Sequence, residues 1–352
     1  MKRNIGKLIV SIVVGMILTH QMPVYATESV SNNNLEINND ILLETDSSIV
    51  IDMHMQPAKR MPMEKAVYDN PRNSYSSTKS PAQITKQGGF YFIADTFHNQ
   101  VIYSSRLETP VKDWKVVNSK VSGPHAISSD GKYYLIADTE NDSVLVYEWN
   151  RGGLRLTQKF ENMGVRPHYI DYDVTTDSFF VWSSMTCEMY ILAKDATGTL
   201  CIKEIRKIKE LTGHYIRSFT INGDYILFPS GTNKQILITD KESLQILGRF
   251  LVPDEVSGMA CIKIIGSYFY MTVSSDDKFD QSHAAIIRTK DLSKLILGEY
   301  EDISSQFPHI QIPYYIEYMQ NAYYMTNHGN SHSVFKFNVI NDEIKNVRAM
   351  QY

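Results

Sequence analysis

His125, His168 and His214 follow one another at spacings of 43 and 46 residues, and each stands two residues before an isoleucine. An imidazole can offer one ring nitrogen to a ligand while the other is held by a hydrogen bond. Three of them converging on one point could hold a divalent cation, zinc, manganese or calcium, and leave positions open for water or substrate. The competing reading is structural: repeated units with one ancestor can keep a histidine because it bonds the neighbouring unit's carbonyl. Tyr314 precedes Ile316 by the same interval, and Arg217, Lys263 and Glu317 stand one residue after the isoleucine in their units. Tyr314, Arg217 and His328 are candidates for holding a substrate and moving its protons, Arg217 by pairing with an anion. For the charged residues the plain alternative is a ring of salt bridges between units.

These residues sit in a repeat, and the repeat decides where they go. Aligned on isoleucine, the unit starts are Pro81-Ala82-Gln83-Ile84, Pro124-His125-Ala126-Ile127, Pro167-His168-Tyr169-Ile170, Gly213-His214-Tyr215-Ile216, Met259-Ala260-Cys261-Ile262 and Pro313-Tyr314-Tyr315-Ile316. The spacings of 43, 43, 46, 46 and 54 residues suit one four-stranded sheet per unit. Within the second unit a strand leads to a turn at Ser129-Asp130-Gly131. Lys132 to Ala137 and Val144 to Trp149 then read as strands around the loop Asp138-Thr139-Glu140-Asn141-Asp142. No long stretch has helical periodicity; Leu200 to Leu211 comes nearest and reads as a fourth strand and its exit. The expected fold is all-β, a six-bladed β-propeller of four-stranded antiparallel blades. A lone blade has no core, so the ring must close. Glu343 to Met350 reads as a fourth strand of the last blade, and Ser48 to Met55 as a strand joining the first or the last.

Pro124-His125-Ala126-Ile127 with Ala137-Asp138-Thr139 and Asn141, and Ala94-Asp95-Thr96 with Asn99, resemble the NHL repeat. That repeat reads approximately Pro-x-Gly-Ile, a glycine-containing turn, then Ala-Asp-Thr-x-Asn. The later units depart from it, as in Val181-Trp182-Ser183-Ser184. Similar six-bladed propellers include a streptogramin lyase and a peptidyl-hydroxyglycine lyase. The resemblance implies histidines and a divalent metal at the top of the channel, the metal polarising an oxygen while an acid or base moves a proton. In a propeller the start of the innermost strand and the loop between second and third strands open on one face. His98, His328 and His332 are therefore expected at the same mouth, while His283 falls in an exposed loop.

Lys2 and Arg3, an apolar run from Leu8 to Leu18 and the small residues around Val24-Tyr25-Ala26 read as a signal peptide over residues 1–26. The run is shorter than the roughly 20 residues a membrane span needs. Residues 27–48 are a polar leader, flexible by composition, and 49–352 a single propeller domain. The chain is thus expected to be secreted or otherwise extracytoplasmic, off the membrane after cleavage, and monomeric. A net charge of −4 without a basic stripe argues against nucleic acid. Three cysteines, Cys187, Cys201 and Cys261, have no metal-knuckle spacing. They read as buried thiols, with a Cys187–Cys201 bridge the alternative. No G-x-S-x-G elbow, G-x-x-x-x-G-K loop, H-E-x-x-H or EF-type calcium loop occurs. Two functions remain. One is a metal-assisted hydrolase or lyase for a small extracellular substrate, with His125, His168 and His214 as ligands. The other is a non-catalytic propeller that binds glycan or protein, its 22 tyrosines supplying stacking surface. The expected partner at the channel mouth is a small-molecule or glycan ligand.

Overall fold

The computed structural model describes residues 49–51, 56–57, 59–60, 71–118, 120–150, 152–328 and 333–352. The segments read as a signal peptide and a leader lie outside the described residues, as does His332. Six antiparallel sheets of four consecutive strands each form the blades of a propeller. The innermost strands are Pro81–Gln87, Ile127–Ser129, Pro167–Asp173, Thr220–Asn222, Met259–Ile265 and Ile312–Met319.

Burial follows from stacking blades face to face. The second strands Tyr133–Asp138 and Ser178–Ser183 are buried at every residue, because both faces of the sheet are covered. They therefore read as continuous apolar runs rather than as alternating ones. The core consists of clusters between blades. One joins Phe92, Tyr103, Ile127 and Tyr134 of the first two blades, and another Ile286, Ile316 and Phe335 of the last two. Leu200–Lys207 is a fourth strand, followed by a short 3-10 turn at Lys209–Leu211. The three cysteines are buried free thiols.

Closure differs from the expectation. Glu343–Met350 is the outer strand of the sixth blade, which the C-terminal part of the chain builds alone. The strands at Ile49–Ile51 and Gln56–Pro57 join neither the first nor the last blade. They pair with the outer strand of the third blade, Lys59–Arg60 pairs with that of the second, and Arg72 bridges to Lys115 in the first. The N-terminal segment thus covers outer edges that would otherwise present unpaired backbone groups. Side chains close the ring: Thr326 donates to the Ala82 carbonyl at 2.8 Å, and the Tyr352 carbonyl accepts from the Thr78 hydroxyl at 2.7 Å.

A candidate ligand pocket at the top of the channel

The first two junctions show what the Asp-Thr motif does. Asp95 and Asp138 accept the amides of Lys79 and Ser122 at 2.6 and 2.7 Å, fixing the segment that leads into their own blade. Thr96 and Thr139 donate to the carbonyls of Pro124 and Pro167, each at 2.8 Å, and so tie each blade to the next. The last blade uses Asn327 in the aspartate's place, accepting the Gln311 amide at 3.0 Å. In the third blade the corresponding tie comes from Trp182, two positions before the threonine's place, whose indole donates to the Ile216 carbonyl at 3.2 Å.

That bond exposes a slip in the fourth repeat. Ile216 occupies the position of Pro124 and Pro167, so the column of His125 and His168 continues at Arg217 and not at His214. Strand pairing agrees. Thr220 pairs with Leu227 in a second strand ending at Ser230, as Asp171 pairs with Phe180 in one ending at Ser183. Fully buried Phe219 fills the isoleucine position. The sequence does carry a signal for this register. A left-handed turn residue stands four after the anchor in four other blades: Gly88, Gly131, Gly266 and Gln320, with φ of 57, 91, 59 and 52°. Gly223, φ 62°, stands four after Phe219.

The resulting ring is Ala82, His125, His168, Arg217, Ala260 and Tyr314, one residue per blade. With Tyr169, Ser218 and Tyr315 from the next position these residues line a pocket of about 210 Å³, a volume that includes the open solvent at its mouth. His125 and His168 lie side by side, ring centroids 3.9 Å apart. Each is held at Nδ1: His125 donates to the Gly123 carbonyl and His168 to the Arg217 carbonyl, both at 2.7 Å. This fixes the tautomer and leaves Nε2 with its lone pair. At His168 that nitrogen accepts the hydroxyls of Tyr215 at 3.0 Å and Tyr314 at 3.3 Å. His168 thus bonds the neighbouring blade's carbonyl through one nitrogen and turns the other to the two phenols.

Burial pushes the His125 imidazolium down to about 3, with His328, Arg166 and Arg217 adding to the effect. It holds His168 well below the ordinary range, aided by His125. His328 stacks on Tyr314 at 4.3 Å, and burial with Arg217 nearby brings it down to about 4. All three imidazoles are therefore neutral near pH 7. Burial likewise keeps the Tyr314 phenol protonated. Arg217 is the exception in this neutral set. It reaches the Gly258 and Met259 carbonyls only at 3.4 Å and lies over the Tyr215 ring, and among the described residues no carboxylate forms an ion pair with it. The other guanidinium nearby, Arg166, is paired with Glu140 at 2.6 Å.

The expected residues therefore divide. His125, His168, Arg217, Tyr314 and His328 come together. His214 does not: it is half-buried in the connecting loop, with Nδ1 3.1 Å from the Thr232 hydroxyl. Its replacement by a guanidinium is the correction to the three-histidine centre. His98 is held elsewhere, stacked on Tyr75 at 3.6 Å and bonded to Asp95 at 2.8 Å. Tyr215 and Arg166 went unnoticed in the sequence, because the misplaced fourth repeat hid the first and nothing marked the second. Among the described residues, one group of three potential metal ligands has its atoms within 4.8 Å of one another: Asp276, Asp280 and His283, in a largely exposed loop.

No known protein family matches the chain, and no curated protein matches it. Among solved structures the chain is similar to a putative 6-phosphogluconolactonase from Bacteroides uniformis, at 11% identity over 79% of this chain and 88% of that one, with a TM-score of 0.57. It is also similar to Saccharomyces cerevisiae Sqt1, at 12% over 78% and 86%, TM-score 0.53. A third is the hydrazine synthase of Kuenenia stuttgartiensis, at 14% over 78% and 80%, TM-score 0.52. At such identities the likeness establishes the β-propeller fold and carries no activity across.

Proposed function

We propose that this protein is an exported propeller that captures a small anionic ligand, a carboxylate or phosphate on a small molecule or glycan, in the pocket at the top of its channel. The observation that carries the reading is Arg217: a guanidinium without a carboxylate partner among the described residues, set among neutral imidazoles and tyrosine hydroxyls. A buried or half-buried charge without a counter-charge is costly, and an incoming anion supplies one. The Tyr314 and Tyr215 hydroxyls can turn from His168 to the ligand.

A divalent cation fits this set less well. In the column two imidazoles remain where three were expected, the Nε2 of one already faces two hydroxyls, and the third position carries a positive charge, although His328 Nε2 adds an unpartnered nitrogen beside Tyr314. No catalytic step is therefore routed through a metal. A hydrolase or lyase acting without one is the second reading. It is favoured by the tyrosine–histidine contacts, in which His168 Nε2 could take a proton from Tyr314 or Tyr215 as the phenol deprotonates a substrate.

Calorimetric titration of the mature chain with a panel of small carboxylates and phosphate esters tests the proposal. Arg217→Met should weaken binding by about 10- to 150-fold, the equivalent of one charged hydrogen-bond pair at about 1.5–3 kcal/mol. Binding unchanged in that variant overturns the assignment. One zinc, manganese or calcium per chain, lost in His168→Ala, would restore the metal centre. Turnover of a bound ligand, abolished in Tyr314→Phe, would select the enzymatic reading.

A further inference from the structure

We propose a second ligand site lower in the channel: Asp171, Lys263 and Glu317 together hold a small zwitterion, a molecule carrying both an ammonium and a carboxylate, as an α-amino acid does. These residues come from the third, fifth and sixth blades and stand at one position, three residues past the pocket ring on their innermost strands. Between the two levels Tyr169 and Tyr315 pack against each other across the channel, centroids 4.9 Å apart.

The argument is one of unpaired partners. Three charged side chains of both signs share this level, and each is only partly accessible to solvent. Yet no ion pair within 4.0 Å joins Lys263 to either carboxylate among the described residues. Lys263 instead lies over the Tyr315 ring at 4.8 Å. One oxygen of Glu317 receives the Thr85 hydroxyl only at 3.5 Å, and the other, Oε2, is buried without a partner. The Tyr315 hydroxyl is also buried and unpartnered, in a residue 4% exposed. Buried polar atoms are nearly always satisfied, so an orphaned acceptor and an orphaned donor beside an unpaired ammonium point to a missing molecule.

That molecule must answer both signs. A carboxylate accepts from Lys263 and the Tyr315 hydroxyl, while an ammonium donates to Asp171 and Glu317. A simple anion would leave the two acids unanswered, and a simple cation would meet Lys263. The electrostatics of the site agree with a deficit of counter-charge. Burial raises Asp171 and brings Glu317 up to about 7 despite Lys263.

The test is titration of the mature chain with glycine and L-alanine, followed by protein NMR, with glucose and acetate as comparison ligands. Saturable binding of the amino acids is expected, tighter than that of acetate and weakened at least tenfold in Glu317→Gln and in Lys263→Met. Melting temperatures of the variants show whether each is folded, and the near-isosteric Glu317→Gln keeps the test open if Lys263→Met is not. Absence of saturable binding at millimolar glycine and alanine overturns the site. So does equal binding in Glu317→Gln, which combined with loss in Arg217→Met would move the ligand to the pocket above. Binding of glucose in preference to the amino acids would overturn the ligand class.

Discussion

The first two blades and the fourth were built on the same plan, and they keep it by different means. Between the first and second blades a threonine hydroxyl reaches the next blade's proline carbonyl, and Asn99 accepts the Gly123 amide at 2.9 Å. Between the third and fourth the motif is gone. A tryptophan indole, the His168 imidazole and a buried ion pair of Lys241 with Asp173 at 2.8 Å take over. Short polar residues in a tight loop make a legible signature. Large side chains make a junction that is sealed by packing, and its sequence is then free to drift. The fourth repeat could thus lose both its motif and its apparent register while keeping its place in the ring.

This contrast can be broken most sharply at Trp182. It is fully buried and packs on Phe228 at 4.8 Å, so Trp182→Ala should cost about 3–5 kcal/mol in denaturant unfolding. Thr96→Val at the first junction should cost only about 1–3 kcal/mol, since it strands one carbonyl and leaves the volume filled. Equal losses would mean that the two junctions are not sealed differently.

Lys241→Met probes the lower end of the same junction. Both partners are more than nine-tenths buried, and removing the ammonium leaves Asp173 uncompensated, a loss of about 3–5 kcal/mol. Burial works against the Asp173 charge, but Lys241, Thr175 and Thr176 hold it below the ordinary carboxylate range. Its stabilisation is therefore present above the unfolded value of 3.8 and is lost as pH falls through the lower folded value. A wild-type acid limb that persists in Lys241→Met would count against the pair.

The pocket gives a third effect with its own window. His125 and His328 are held down to about 3 and about 4 in the fold, against 6.5 in the unfolded chain. Each favours the folded state fully above pH 6.5, and below it stability declines by about 1.4 kcal/mol per unit per imidazole until the folded value is reached. Thermal melts from pH 7 to 5 should fall accordingly, and less steeply in His125→Gln. A flat profile would show that these imidazoles are not buried neutral. The smallest change expected is at His214. Outside the ring, its replacement by alanine should alter stability by no more than about 0.5 kcal/mol and leave ligand binding intact. A tenfold loss of binding would return it to the site.

Much of this was written locally. The six anchors, the turn residues four positions on and the apolar second strands determine six sheets, because a blade's register depends on residues next to one another in the chain. His125, His168 and Tyr314 could be placed at one level for the same reason. The N-terminal strap was not legible, since pairing along an outer edge uses backbone groups that any short strand offers, and Ile49–Ile51 carries nothing to choose the third blade over the first or sixth.

Sequence by itself therefore determined the number of blades, the order of their strands and most of the column that faces the channel. Only the tertiary structure decided that Arg217 rather than His214 completes the ring. An isoleucine anchor is a statement about burial, and Ile216 is as fully buried as Phe219. Which of the two is the anchor is decided by the pairing of Thr220 with Leu227 and by the indole of Trp182, 34 residues away in the preceding blade, and Gly223 is its one local trace.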